Sequence, residues 1–385
     1  MSITNPQPKD VIRTDFWSRC YDASIAVGSH RITKLTGLKV IRPTIRSSGM
    51  SMANQCLRKY LYRYRLGLKP RGYDSALTIG KMFHEIRAHL TLGKDEGDAI
   101  APVIDTVSEL QDSLRELANP NTCLLPWGQD VNKTIDTINK DFAMARALAL
   151  WSHQLSREAD TTKYEIVGVE KLVEIRYKNL VAPIRVRIDL LLRDKKTKEL
   201  WILDYKTTSK PARLMAESLS FAIQPRLYRL GIHCWLQQDP EAPKGTLVGT
   251  IHDILQKPAI RLRQGDTFED YLDRINDLYD KDHQAAIAGK NPNPMFVRVK
   301  TRYHAPVMDS ELMIHLKQAN AQATCRVSLD QYPRHPDPII GCYTFNKPCP
   351  YMALCTTHPH RWRDEVLPNF DVQSRDADDL AGSFT

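Results

Sequence analysis

The sequence holds no apolar run approaching the roughly 18 residues that a membrane-spanning helix needs. It holds no internal repeat and no long low-complexity segment, which argues against a solenoid or a disordered scaffold. Its first residues, MSITNPQPKDVIRTDF, lack the apolar core of a secretory signal. A cytoplasmic protein is expected, and in a reducing cytoplasm its 8 cysteines should not form structural disulfides. A metalloprotease helix is missing too. The nearest stretch, HEIRAH, sets His84 and His89 five residues apart, roughly 140° around a helix, where H-E-x-x-H needs both on one face.

What is present fits a globular chain. Its 385 residues can bury at least one large core and could form two domains. The apolar share of 42% and the charged share of 26% are ordinary for such a protein. A net charge of +9 serves solubility, and it also suits a polyanionic partner whose phosphates release counterions to Lys and Arg.

The patterning is mixed α/β. Residues 1–50 read as an irregular extension. The stretch MANQCLRKYLYRYRLGL from Ser51 reads as a helix that stops near Lys69-Pro70-Arg71-Gly72, and a second helix runs from about Ala76 to Leu92. Residues 96–160 show helical spacing with a break between Pro120 and Pro126, and read as a helical insert. Runs rich in Val, Ile and Leu at 164–177, 184–192 and 200–207 read as strands, with one or two more at 246–264. Helices are expected at 216–238, 267–288 and 309–328. Pro225 either kinks the first of these or marks its first turn.

Within WILDYKTTSK, Asp204 and Lys206 interrupt an apolar strand, where charge is costly unless something requires it. A turn centred on Lys196-Thr197 pairs residues whose numbers sum to 393, which sets Asp189 opposite Asp204. Ile184, Val186, Ile188, Leu190 and Leu192 then share the other face of their strand. Facing carboxylates want a proton or a cation between them, and oxygen ligands suit Mg²⁺ or Mn²⁺. Lys206 would project beside such an ion, able to orient a water or stabilise developing negative charge. The plainer alternative is a surface hairpin carrying ordinary ion pairs.

Other features are weaker singly. His84 lies on the second helix in G-K-M-F-H. Gln224 and Tyr228 share a helix face at i, i+4, with Arg226 and Arg229 nearby to meet phosphates. Cys342, Cys349 and Cys355 fall within CYTFNKPCPYMALC, too dense for core packing alone. Zinc or an iron–sulfur cluster each wants a fourth ligand, for which His358, His360 or the distant Cys56 are available. Spacing does not choose between the metals.

In order along the chain come a Cys on an early helix, G-x-x-x-H, I-D, D-Y-K-T-T, Q-x-x-x-Y and a terminal Cys cluster. This set, over about residues 51–358, resembles the PD-(D/E)XK nuclease superfamily, and within it the RecB/AddB-like iron–sulfur branch that includes exonuclease V and CRISPR spacer-acquisition nucleases. Stand-alone phage or prophage relatives look nearest, which would put the chain in a host cytoplasm.

The resemblance implies a restriction-endonuclease-like mixed central sheet flanked by helices. It implies metal ligation by His84, Asp189, Asp204 and the Tyr205 carbonyl, a catalytic Lys206, and strand positioning by Gln224 and Tyr228. Cys56, Cys342, Cys349 and Cys355 would hold a 4Fe–4S cluster, with Zn²⁺ the alternative. Three departures stand out: Arg187 where relatives often have Gly, Pro225 within Q-x-x-x-Y, and six residues in the first gap of the cluster where many relatives have two.

The expected organisation is an extension (1–50), a nuclease domain (51–360) and an acidic flexible tail (361–385). The domain would hold the insert at about 94–160, the catalytic sheet at about 161–265 and the iron–sulfur segment at about 336–358. The expected function is Mg²⁺- or Mn²⁺-dependent cleavage of DNA ends or single strands, alongside a recombinase, single-strand-binding protein or helicase. The rival expectations are a nuclease fold that binds DNA without cutting it, and a zinc-stabilised scaffold.

Overall fold

The computed structural model describes residues 36–372, apart from 42–43, 120, 122, 126–128, 178, 220–221, 261–262, 264, 305–306, 308–309, 326, 328–330, 338–340 and 345–346. Most of the expected extension and the end of the expected tail lie outside the described residues. In chain order come α1 (Ser47–Gln55), α2 (Leu57–Tyr60) with a π-helical turn (Leu61–Arg65), β1 (Leu68–Pro70), α3 (Ser75–Thr91), α4 (Glu96–Leu117) and α5 (Val131–Lys163). Then follow β2 (Tyr164–Ile175), β3 (Ile184–Asp194), β4 (Leu200–Thr208), α6 (Ala212–Leu219), α7 (Ile223–Gln238), β5 (Leu247–Gln256), α8 (Phe268–Ile287), β6 (Phe296–Arg302) and α9 (Ser310–Thr324). The chain continues through β7 (Tyr343–Thr344), β8 (Lys347–Pro348), α10 (Met352–Thr356) and β9 (Phe370–Val372). Among the described residues, no helix is long and apolar enough to cross a membrane.

The central sheet runs β2-β3-β4-β5-β6, antiparallel except for the β4–β5 pair, which is parallel and joined through α6 and α7. This is the mixed α/β sheet expected. The β3–β4 hairpin has the predicted register: Leu190 pairs with Leu203 and Arg193 with Leu200, numbers that sum to 393. Asp194 builds the turn, its Oδ1 accepting from the Lys196 and Thr197 amides at 2.9 and 3.0 Å. Lys198 takes the left-handed φ of 60° that closes it. Leu190–Leu192 and Trp201–Leu203 are all buried, as central strands covered on both faces should be.

One expectation about β3 fails. Leu190 and Leu192 enter the core beneath α3, α5 and α8, whereas Ile184, Val186 and Ile188 enter a second core beneath α7 and α9. Leu191 also joins the second core, so the alternation changes phase around Asp189 and the apolar row is split between the two faces of the sheet.

Helix starts follow their caps: Asp74, Asp95 and Asp130 each accept from the amide three residues on, and Thr267 forms a capping box with Asp270. Pro225 stands in the first turn of α7, where the missing amide costs no helical bond, so it marks a start and not a kink. The preceding α6 is a separate helix. Strand β6 was not anticipated; this edge strand is at most half-buried and its apolar content is low.

A third core joins the two ends of the described chain. Tyr62, Leu66, Trp362, Val366 and Phe370 are buried together, and β9 pairs with β1. The loose tail expected from residue 361 is therefore packed as far as Val372. Trp362, wholly buried, draws it in, its Nε1 donating to the Thr357 carbonyl at 2.9 Å. The early helix is also corrected: it breaks at Cys56, whose φ of −166° and ψ of 117° are extended.

At Gly249 on β5, an added Cβ would lie 2.3 Å from the Trp201 ring and 2.4 Å from the Thr301 carbonyl oxygen. The backbone oxygen cannot swing aside. Gly249→Ala is expected to lower stability by about 1–3 kcal/mol, read as a lower urea midpoint at unchanged slope.

Candidate metal centre

Three elements converge at one edge of the β3–β4 hairpin. Helix α3 brings His84, whose Nδ1 lies 3.3 Å from Asp189 Oδ1. The other Asp189 oxygen accepts from the Tyr205 amide at 2.6 Å, just beyond the last ladder pair between β3 and β4. Strand β2 brings Glu170, which falls between the pairs Val169–Leu190 and Lys171–Ile188 and so faces Asp189. Ligand atoms of His84, Glu170 and Asp189 all lie within 4.8 Å of one another.

The sequence reading missed Glu170. The signal was present in VGVEKLV, an acidic residue inside an apolar strand, the same anomaly that singled out Asp204. Glu170 also has a left-handed φ of 46°. For a residue with a side chain this conformation costs on the order of 1–3 kcal/mol, and such strain collects at functional sites.

The electrostatics favour an added cation. Burial pushes the Glu170 carboxyl up to about 7, and the Asp189 carboxylate adds to this against His84 and Arg187. Burial works against a charged His84, but Asp189 outweighs it and raises the imidazole above its ordinary range. Two carboxylates and an imidazole are a donor set that suits a divalent cation such as Mg²⁺ or Mn²⁺, which would relieve the crowded negative charge.

Asp204 stands beside this group and not within it. Its Oδ1 accepts from Lys206 Nζ at 2.7 Å, and its Oδ2 meets His252 Nδ1 at 3.0 Å. Burial would raise the Asp204 carboxyl, but Lys206 and His252 together hold it at about 2. His252 was not anticipated. It reaches Asp204 because the parallel β4–β5 register sets the two side by side, a long-range pairing that no local pattern encodes.

Gln224 and Tyr228 do meet, with Gln224 Nε2 donating to the Tyr228 hydroxyl at 2.7 Å. Burial, then the charges of Asp204 and Asp189, push the Tyr228 phenol far up, so this pair borders the centre as a neutral group. Arg226 and Arg229, expected to face phosphates, are engaged inside the protein. Arg226 donates to Glu311 at 2.5 Å, and the Arg229 guanidinium lies 4.2 Å over the Tyr303 ring.

The cysteines stand apart from this centre, and among the described residues they do not form a ligand group as compact as that of His84, Glu170 and Asp189. Cys56, Cys342, Cys349 and Cys355 are free thiols. The Cys349 amide donates to the Cys342 carbonyl at 2.6 Å. Burial raises the Cys349 thiol, the Tyr351 amide and Lys59 oppose this, and Cys355 and Cys342 add to it. Burial likewise raises Cys355, with Tyr62, Arg58 and Arg334 opposing and Cys56 adding.

Asp204 supplies a test in chelated protein. Its carboxyl sits at about 2, below its ordinary 3.8, so its stabilisation is fully present above about pH 3.8 and is lost as pH falls toward 2. Lys206→Met removes the leading cause. The variant should be less stable than the parent by on the order of 1–3 kcal/mol near neutral pH. That gap should narrow as urea denaturation is repeated at successively lower pH through this window.

No curated protein sequence matches this chain closely enough to serve as a relative. The PD-(D/E)XK nuclease superfamily matches residues 48–356, a span that includes His84, Glu170, Asp189, Asp204, Cys56, Cys342, Cys349 and Cys355. A mixed sheet, an acidic centre at its hairpin and a match over most of the chain agree, and the chain belongs to the PD-(D/E)XK nuclease superfamily.

Proposed function

We propose that the protein is a divalent-metal-dependent deoxyribonuclease that hydrolyses phosphodiester bonds at DNA ends or in single strands. The observation that carries this reading is the convergence of His84, Glu170 and Asp189 beside the buried Asp204–Lys206 pair. Membership of a nuclease superfamily makes nucleic acid the substrate to test first.

In this reading His84, Glu170 and Asp189 hold Mg²⁺ or Mn²⁺, with Asp204 and the Tyr205 carbonyl as the neighbouring oxygen donors. A bound divalent ion supplies Lewis acidity toward the phosphate and acidifies a bound water. The chain's own groups do the rest. Lys206 is held by Asp204 with its side chain partly accessible, able to stabilise the negative charge that develops on the phosphoryl oxygens. His252 occupies the far oxygen of Asp204, so the carboxylate stays ionised and fixed in direction. Gln224 and Tyr228, locked together, are placed to position a strand.

The expected result is degradation of labelled DNA with Mg²⁺ or Mn²⁺ and none with chelator. Asp204→Ala and Lys206→Ala should each lose at least about a hundredfold in rate. Binding of DNA with no cleavage of any end or structure would replace this reading with that of a binding protein.

We also propose that Cys56, Cys342, Cys349 and Cys355 ligate a 4Fe–4S cluster. The support is a set of four free thiols, Cys56 buried and the other three partly exposed, with Cys349 near Cys342 and Cys355, Cys355 near Cys56, and Arg58, Lys59 and Arg334 nearby to balance thiolate charge. Such a group would cross-link the two ends of the described chain at its third core. Purified protein should be brown and contain iron and sulfide, and Cys349→Ser should lose both colour and metal. Colourless protein with stoichiometric zinc would reassign the site.

A further inference from the structure

A cavity of about 190 Å³ lies between α3, α5 and the sheet, lined by Arg87, His153, Ser156, Tyr205 and the apolar Leu190 and Leu192. No residue of the converging His84–Glu170–Asp189 group lines it. Arg87 is its unusual member. Its guanidinium is 98% buried, and its hydrogen bonds go to neutral groups: His153 Nδ1 at 2.5 Å, Ser156 Oγ at 3.1 Å and the Tyr205 hydroxyl at 2.6 Å. Its Nε has no partner. Among the described residues no carboxylate lies within ion-pairing distance of it. The nearby Asp160 carboxylate is occupied on both oxygens by Arg298, at 2.7 and 2.9 Å.

A buried cation without a counter-charge costs several kcal/mol, because the interior cannot replace its hydration. None of the three partners is an anion. The Tyr205 phenol is pushed up to about 12 by burial, and the His153 imidazole is held at about 4 by burial and by Arg87 itself. Two further cations, the exposed Lys94 and Arg157, also line the cavity. Asp160 lines the cavity too, its charge engaged by Arg298, so the charged lining is cationic on balance, and Leu90, Leu190 and Leu192 supply apolar surface.

We propose that this cavity binds a small organic anion, with one carboxylate on Arg87 and a compact apolar body against the leucines. The size fits: a dry apolar cavity of about 150 Å³ accepts benzene. The guanidinium supplies the preferred geometry for a carboxylate. The cavity adjoins the metal centre through Tyr205, whose hydroxyl meets Arg87 and whose amide meets Asp189, but the proposal does not depend on the nuclease reading.

The test uses the full chain with benzoate, and with benzamide as its neutral analogue of nearly the same shape. Benzoate should give saturable heat on titration and a saturable rise in melting temperature. Benzamide should give neither in the same concentration range. Lys94→Gln and Arg157→Gln change exposed residues and leave folding intact, and each should weaken benzoate about two- to fivefold. Arg87→Met should abolish the preference for benzoate over benzamide. Absence of saturable benzoate binding, equal binding of benzamide, or benzoate affinity unchanged in all three variants would overturn the proposal. If Arg87→Met does not fold, the benzoate–benzamide comparison and the two glutamine variants still decide it.

Discussion

The bond from the Tyr205 amide to Asp189 Oδ2 is the contact on which the centre depends. The β3–β4 ladder ends at Leu190–Leu203, and beyond it a side-chain carboxylate accepts the next amide. That one substitution orients Asp189. Its second oxygen then faces His84 from α3, and Glu170 closes from β2. A carboxylate free to rotate could not serve helix and strand together, and the preorganisation is done by backbone, which moves least.

Around this contact the charges sort by partner. Asp204 has Lys206 and His252 and stays ionised. Glu170 has too little positive charge near it and drifts up to about 7. Two neighbouring acidic groups thus behave oppositely, and the shortage of positive charge at Glu170 makes its side of the centre the one that suits an added cation. The left-handed φ at Glu170 belongs to the same picture, since the strand gives up regular backbone geometry to point a carboxylate inward.

Much of the fold was legible because it rests on local signals. The register expected from a turn at Lys196-Thr197 holds for the pairs from Leu190–Leu203 to Arg193–Leu200, where Asp194 and Lys198 shape the turn, while Asp189 and Asp204 fall beyond the ladder. Caps at Asp74, Asp130 and Thr267 started helices where periodicity required them. The failures share a cause in long-range packing. The break at Cys56 and the docking of Trp362 both belong to the third core, where chain segments almost 300 residues apart meet. Strand β6 exists because β5 offers it an edge, and its own sequence says little.

For the centre, the sequence by itself determined that Asp189, Asp204 and Lys206 sit on one hairpin, because a short turn and period-two alternation leave few alternatives. It also determined that Gln224 and Tyr228 meet, since i, i+4 contact is intrinsic to a helix. Only the tertiary structure decided which partners those groups take. His84 arrives on a separate helix, His252 through a parallel strand pairing, and Glu170 through a backbone irregularity. Each depends on how elements dock, and docking is governed by the summed burial of surfaces that no local stretch of chain contains.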